Sequence, residues 1–160
     1  MSRNEFIKKA IEDYTQTVLK IAFSYTKNTS DAEDIAQDVF YALLREEKVF
    51  SSENHLKAWL VRVTINKSKN YVKSRWFSKR NEMPEELVDM PKENSDILYA
   101  VFSLEEKYRI PIHLFYYEGY SIREIAEILK IPNATVGTRL KRGREQLKKL
   151  IGSEDCLENE

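Results

Sequence analysis

The chain has 160 residues, 42% of them hydrophobic, and its 26 basic and 26 acidic side chains cancel. That suffices for one domain or two small ones, and evenly spread charge would argue against a nucleic-acid partner. No apolar run approaches the roughly 18 residues of a spanning helix and no signal-peptide core follows Met1 to Glu5, so no membrane insertion and a cytoplasmic location are expected. A lone Cys156 excludes an internal disulfide, and His55 and His113 stand far from any second soft ligand, so neither a metal nor a cofactor is expected.

Phe6, Ile7, Ala10, Ile11, Tyr14, Val18, Ile21, Ala22 and Tyr25 keep helical spacing, which predicts a long amphipathic helix stopped at Asn28 to Ser30. Ser30 with Glu33 reads as a capping box that launches a second helix. Its inward face would be Ala32, Ile35, Ala36, Val39, Phe40, Leu43 and Leu44. Asp31, Asp34, Gln37, Asp38 and Tyr41 are left as an outer acidic strip with no basic partner at i+4. An acid-rich first turn also suits the helix dipole, so a purely structural role stands beside a docking one.

Phe50 to His55 loses the periodicity and is expected to be a loop. A third helix then resumes with Leu56, Trp59, Leu60, Val63 and Tyr71. Between Lys67 and Arg80 it carries six basic residues and no acid, interleaved with Tyr71, Trp76 and Phe77. Arg62, Asn66, Asn70 and Lys73 share one stripe, offering amides to base edges and cations to phosphates, with aromatics able to stack on unpaired bases. The same pattern fits a solvated basic helix end whose aromatics are core.

Counted by segment, the charge is far from even: positions 1–80 carry +5, 81–106 carry −7, 107–150 carry +6, and the remainder −4. Two basic modules, 1–80 and 95–151, are therefore expected on either side of a flexible acidic linker over 81–94 that holds Pro84 and Pro91, with an acidic tail over 152–160. Ser95 and Asp96 can cap a helix through Leu104, and Leu104 to Glu118 reads as another, bent or begun at Pro111 and stopped at Gly119. Ile112, Leu114, Phe115 and Tyr116 would be core, and His113 a surface or core residue.

Ser121 with Glu124 is a second capping box, opening a helix with Ile122, Ile125, Ala126 and Leu129 on one face. Ile131 to Asn133, centred on Pro132, breaks it, and Val136, Leu140, Gly143, Leu147 and Leu150 then recur at steps of 4, 3, 4 and 3. Two helices broken at one fixed point make a helix-turn-helix. Ala134, Thr138, Lys141 and Glu145 point away from the stripe, flanked by Thr135 and Arg142 on one side and Gly137 and Arg144 on the other. Short groups first and cations later suit a helix entering the major groove N-terminus first. A packing hairpin with a solvated basic face fits the spacing too. No nucleophile, base and orienting residue cluster anywhere, and no Gly-rich phosphate loop is present, so an enzyme is not expected.

The segments from Ala22 to Leu44, Lys57 to Arg75 and Tyr108 to Lys149, in that order, resemble the extracytoplasmic-function (ECF) sigma factors of bacterial RNA polymerase. The resemblance implies an all-α protein of two small helical domains that recruits core RNA polymerase to promoter DNA, and an anti-sigma factor as a further partner. It implies that Asp31, Glu33, Asp34, Gln37 and Asp38 dock on the polymerase. Trp59, Arg62, Asn66, Asn70 and Lys73 would read the minus-10 element, with the Phe50 to His55 loop trapping a flipped base. Thr135, Thr138, Arg139, Lys141 and Arg142 would read the minus-35 element. Three departures stand out: Ala134 replaces a usual glycine, Gly137 a common lysine or arginine, and Glu105 a frequent proline at a helix start. The competing class is a free-standing helix-turn-helix regulator, or a helical adaptor that never touches polymerase; a regulator would usually dimerise, yet no additional dimerisation helix is visible.

Overall fold

The computed structural model describes residues 2–79 and 95–152. The expected linker over 81–94, the tail from 153 with Cys156, and the side chains of Trp76 and Phe77 lie outside the described residues. Every described element is helical: α1 (Arg3–Thr26), α2 (Thr29–Arg45), α3 (Glu53–Lys79), α4 (Ser95–Ser103), α5 (Glu106–Ile112) running into a π-helical turn (His113–Tyr117), α6 (Ile122–Leu129) and α7 (Asn133–Ile151). The fold is all-α, and the chain divides into two units, Met1–Glu86 and Leu87–Glu160.

In the first unit α1, α2 and α3 pack pairwise around a core in which Val18, Ala22, Ile35, Val39, Leu43 and Leu60 are all but fully buried. The helix ends differ from the sequence reading. Ser2 starts α1, its Oγ accepting the Glu5 N–H at 3.2 Å, and Lys27 ends it in the left-handed region at φ 56°. Because the chain turns straight back there, Asn28 and not Ser30 caps α2, its side-chain oxygen accepting the Asp31 N–H at 2.8 Å. Arg3 reaches across to donate to the carbonyls of Leu43 at 3.0 Å and of Glu46, so the first turn of α1 satisfies the orphan end of α2.

Asp31 corrects the expectation of an exposed strip. It lies at i−4 from Ile35, on the face that continues to Val39, and is 8% exposed. A carboxylate there needs partners. It accepts a hydrogen bond from the Tyr71 hydroxyl at 2.6 Å and pairs with Arg75 at 3.2 Å, joining the start of α2 to α3. Burial first, and the Asp31 carboxylate second, hold the Tyr71 phenol above its ordinary range. Leu44, expected inward, is 48% exposed. A second tie runs from the Tyr14 hydroxyl to Glu53 Oε2 at 2.6 Å; burial and that carboxylate push the Tyr14 phenol up to about 12. The third helix therefore begins at Glu53, inside the expected loop, with Ser52 Oγ accepting the His55 N–H at 3.1 Å.

In the second unit α4, α5 and α6 all pack on α7. Glu105 precedes α5 at φ −61° and ψ 150° without a side-chain cap, the extended backbone that a proline there would also adopt. The expected single helix from Leu104 to Glu118 is instead α5 plus the π turn. Pro111 has no N–H to give the Lys107 carbonyl, and beyond it the ladder widens, Glu118 N–H bonding the His113 carbonyl at 3.2 Å. His113 Nε2 lies 3.2 Å from Glu118 Oε2 and its ring stacks on Tyr117 at 5.6 Å, while Gly119 takes φ 75° to leave the turn. Ile122 and Leu150, both expected to pack, are 37% and 56% exposed, and Ile128 is buried in their stead.

Gly143 lets α5 and α7 meet: a Cβ added there would lie 3.0 Å from Ile112 Cγ1 and 3.2 Å from Cδ1, whereas one added at Gly137 would meet none of the described residues within 4 Å. Gly143→Leu is expected to destabilise the second unit by about 1 to 3 kcal/mol through overpacking. Gly137→Ala is expected to stabilise it by up to about 1 kcal/mol through helix propensity. Thermal unfolding of the two variants should shift in opposite directions.

Candidate nucleic-acid interface

The helix-turn-helix is built by local chemistry. Ser121 and Glu124 form the expected capping box, Ser121 N–H to Glu124 Oε1 at 2.9 Å and Glu124 N–H to Ser121 Oγ at 3.1 Å. Lys130 at φ 59° closes α6, and Pro132 at φ −64° and ψ 152° starts α7 in the backbone its ring imposes. Val136, Leu140, Gly143 and Leu147 are buried. Ala134, Thr138, Lys141, Arg142 and Glu145 are exposed, as the spacing predicts, and Thr135 and Arg139 are half-buried.

Thr135, Thr138, Arg139 and Arg142 line one open groove of about 360 Å³ together with Ala134, Lys107 and Tyr108. Lys141 is exposed but does not line it. Arg144 is turned toward its own unit, donating to the Tyr116 hydroxyl at 3.3 Å. Lys107, on α5, was missed by sequence reasoning: it stands 28 residues before Thr135, and periodicity within one helix cannot link two elements. Its ammonium lies 5.1 Å from the centroid of the Tyr108 ring.

On α3 the structure brings Arg62, Asn66, Asn70 and Lys73 out as one exposed stripe, with Lys69 exposed beside them. Trp59 stands apart. It is half-buried, with Phe50 edge-to-face at 5.6 Å, and Phe50 in turn stacks on Phe6 at 6.2 Å and meets His55 at 5.2 Å. The aromatic of the expected base-trapping loop is thus engaged by its own core, while Ser51, Ser52 and Asn54 remain exposed. On α2, Glu33, Asp34, Gln37 and Asp38 are all exposed, and Tyr41 and Leu44 prolong their face. Among the described residues no helix is long and apolar enough to cross a membrane.

The family described as Sigma-70 region 2 matches residues 10–78, and Sigma-70, region 4 matches residues 95–147. The ECF RNA polymerase sigma-E factor of Haemophilus influenzae is 30% identical, with 82% of each chain covered. The ECF RNA polymerase sigma factor SigW of Bacillus subtilis is 28% identical, over 88% of this chain and 86% of the relative. Among solved structures, the sigma factor RpoE of Bartonella quintana, in complex with the anti-sigma factor NepR, shares the fold at a TM-score of 0.78 and 22% identity, over 92% of this chain and 97% of that one.

The geometry of α2 separates Asp31 from its neighbours. Asp31→Ala removes the partner of a half-buried hydroxyl and a guanidinium, an expected cost of about 1 to 2 kcal/mol. Asp34→Ala, fully on the surface, should change stability by no more than about 0.5 kcal/mol. Urea denaturation of both variants checks the difference, and equal midpoints would return Asp31 to the exposed strip.

Proposed function

We infer the function from one premise: the chain belongs to the extracytoplasmic-function (ECF) sigma factors of the sigma-70 family. It acts as an alternative sigma factor that binds core RNA polymerase, directs promoter-specific transcription initiation and is held in check by an anti-sigma factor. The observation that carries this reading is the succession of region 2 and region 4 along one chain. Each coincides with helices whose outward residues have the chemistry the role needs. The protein works in the cytoplasm, by recognition and not by catalysis, and needs no cofactor.

In this reading Glu33, Asp34, Gln37 and Asp38 form the docking face for polymerase, and Asp31 supports that face from beneath by fixing α2 against α3. Arg62, Asn66, Asn70 and Lys73 act on the minus-10 element, where amides and cations suit the exposed base edges of an opened strand. Trp59 and Phe50 brace that surface. Thr135, Thr138, Arg139, Lys141 and Arg142 present α7 to the major groove of the minus-35 element, hydroxyls toward the N-terminal end and cations behind. Gly137, with open space around it, leaves one expected cationic contact unmade.

Two experiments test the assignment. Asp34→Lys combined with Asp38→Lys should leave helicity by circular dichroism unchanged and abolish co-purification with core polymerase; retained co-purification would remove the docking face from α2. Arg142→Ala should cost about 1 to 3 kcal/mol in minus-35 binding by the holoenzyme and relax preference at one base position, if the guanidinium reads a base. A binding selection that kept full preference would take Arg142 off the reading surface.

A further inference from the structure

We propose that Lys107 contacts a phosphate of the promoter duplex, holding the DNA backbone in the groove between α5 and α7 while α7 reads the bases. The proposal rests on the reading of α7 as the minus-35 recognition helix. Its own ground is the groove, whose walls bring Lys107 together with Thr135, Thr138, Arg139 and Arg142. Three cations and two threonine hydroxyls converge there, and among the described residues no carboxylate lines it. In a chain with as many acids as bases, that composition selects an anion.

The shape selects a backbone over a base edge. An α-helix with its side chains is about 10 to 12 Å across, close to the roughly 12 Å width of the major groove. A helix lying in that groove therefore has a phosphate strand along its flank, and the flank of α7 nearest α5 is the wall that Lys107 supplies. Phosphate contacts of this kind fix register and orientation, and base contacts specify.

Lys107 is also held in place. Its ammonium lies over the Tyr108 ring, and Tyr108 is buried against α7 beside Gly143, where an added Cβ would come within 3.6 Å of Tyr108 Cβ. The close approach at Gly143 thus sets the distance from the Lys107 wall to the reading face. A contact from α5, not from α7 itself, constrains the rotation of α7 about its own axis in the DNA groove.

The test uses holoenzyme assembled from core polymerase and the full chain, as wild type, Lys107→Met or Lys107→Arg, on duplexes enriched from a randomised minus-35 library by the wild type. For Lys107→Met, affinity should fall by the same factor for every enriched sequence, and the slope of log affinity against log salt should become shallower by about 0.9, the loss of one phosphate contact. Lys107→Arg should retain both. One phosphate whose ethylation weakens wild-type binding should cease to matter for Lys107→Met. Unchanged affinity and slope for Lys107→Met, or a loss confined to one base position, overturns the phosphate contact while leaving α7 as the reader. A wild type that enriches no minus-35 sequence overturns the recognition-helix reading, and this contact with it.

Discussion

A helix has one circumference, and in a unit of three or four helices each must give much of it to the core. That constraint governs both halves of this chain, because a unit this small buries little surface beyond what its helix faces supply. What the core takes is unavailable for recognition. In α2 the face through Asp31, Ile35 and Val39 is taken, leaving Glu33, Asp34, Gln37 and Asp38 outside. In α7 the face through Val136, Leu140, Gly143 and Leu147 is taken, leaving Thr138, Lys141 and Arg142. The proposed recognition surfaces are complements of packing surfaces, so changes in packing bear on them directly.

Asp31 and Gly143 show how strictly the core sets its terms. A carboxylate on the packing face of α2 is tolerated because Tyr71 and Arg75 meet it, and this polar tie fixes the outer acids of α2 relative to α3. A Cβ at Gly143 would crowd the Ile112 side chain at 3.0 Å, and its absence lets α5 lie close enough to share a groove with α7. Both residues are buried, and on the proposed reading each fixes where a recognition surface stands.

Much of this was legible in the sequence because the helices are amphipathic and their punctuation is local. The all-α class, the Ser121–Glu124 capping box and the outward set on α7 follow from spacing of 3 and 4 and from side chains that bond within one turn. What the sequence hid needed knowledge of a second element. Asp31 looked exposed because a carboxylate is rarely buried, and its partners lie 40 and 44 residues away. The resemblance assigns Trp59 and the Phe50 loop to DNA, and periodicity gives no sign that Phe50 stacks on Phe6 and meets Trp59 edge-to-face. Lys107 stayed invisible until α5 lay beside α7. Asn28 caps α2 although Ser30 with Glu33 offers the more familiar pattern, because the left-handed Lys27 has already turned the chain.

The composition of the α7 face bears on how selectivity would be divided between the units. Its first turns carry Ala134, Gly137 and Thr138, which let the backbone approach but offer few hydrogen bonds. The long donors are Arg139, Lys141 and Arg142, of which Arg139 is half-buried. A good bidentate contact is worth about 1 to 3 kcal/mol of discrimination, against about 4 to 10 kcal/mol that separates specific from non-specific binding in typical DNA-binding proteins. Phosphate contacts from Lys107 or its neighbours raise affinity without narrowing that gap. On the proposed reading the donors of α7 cover part or most of that gap, and the exposed amides Asn66 and Asn70 on α3 add to it. If, as proposed, those amides act on bases that an intact duplex conceals, their share is released only when the strands part, which couples recognition to promoter opening.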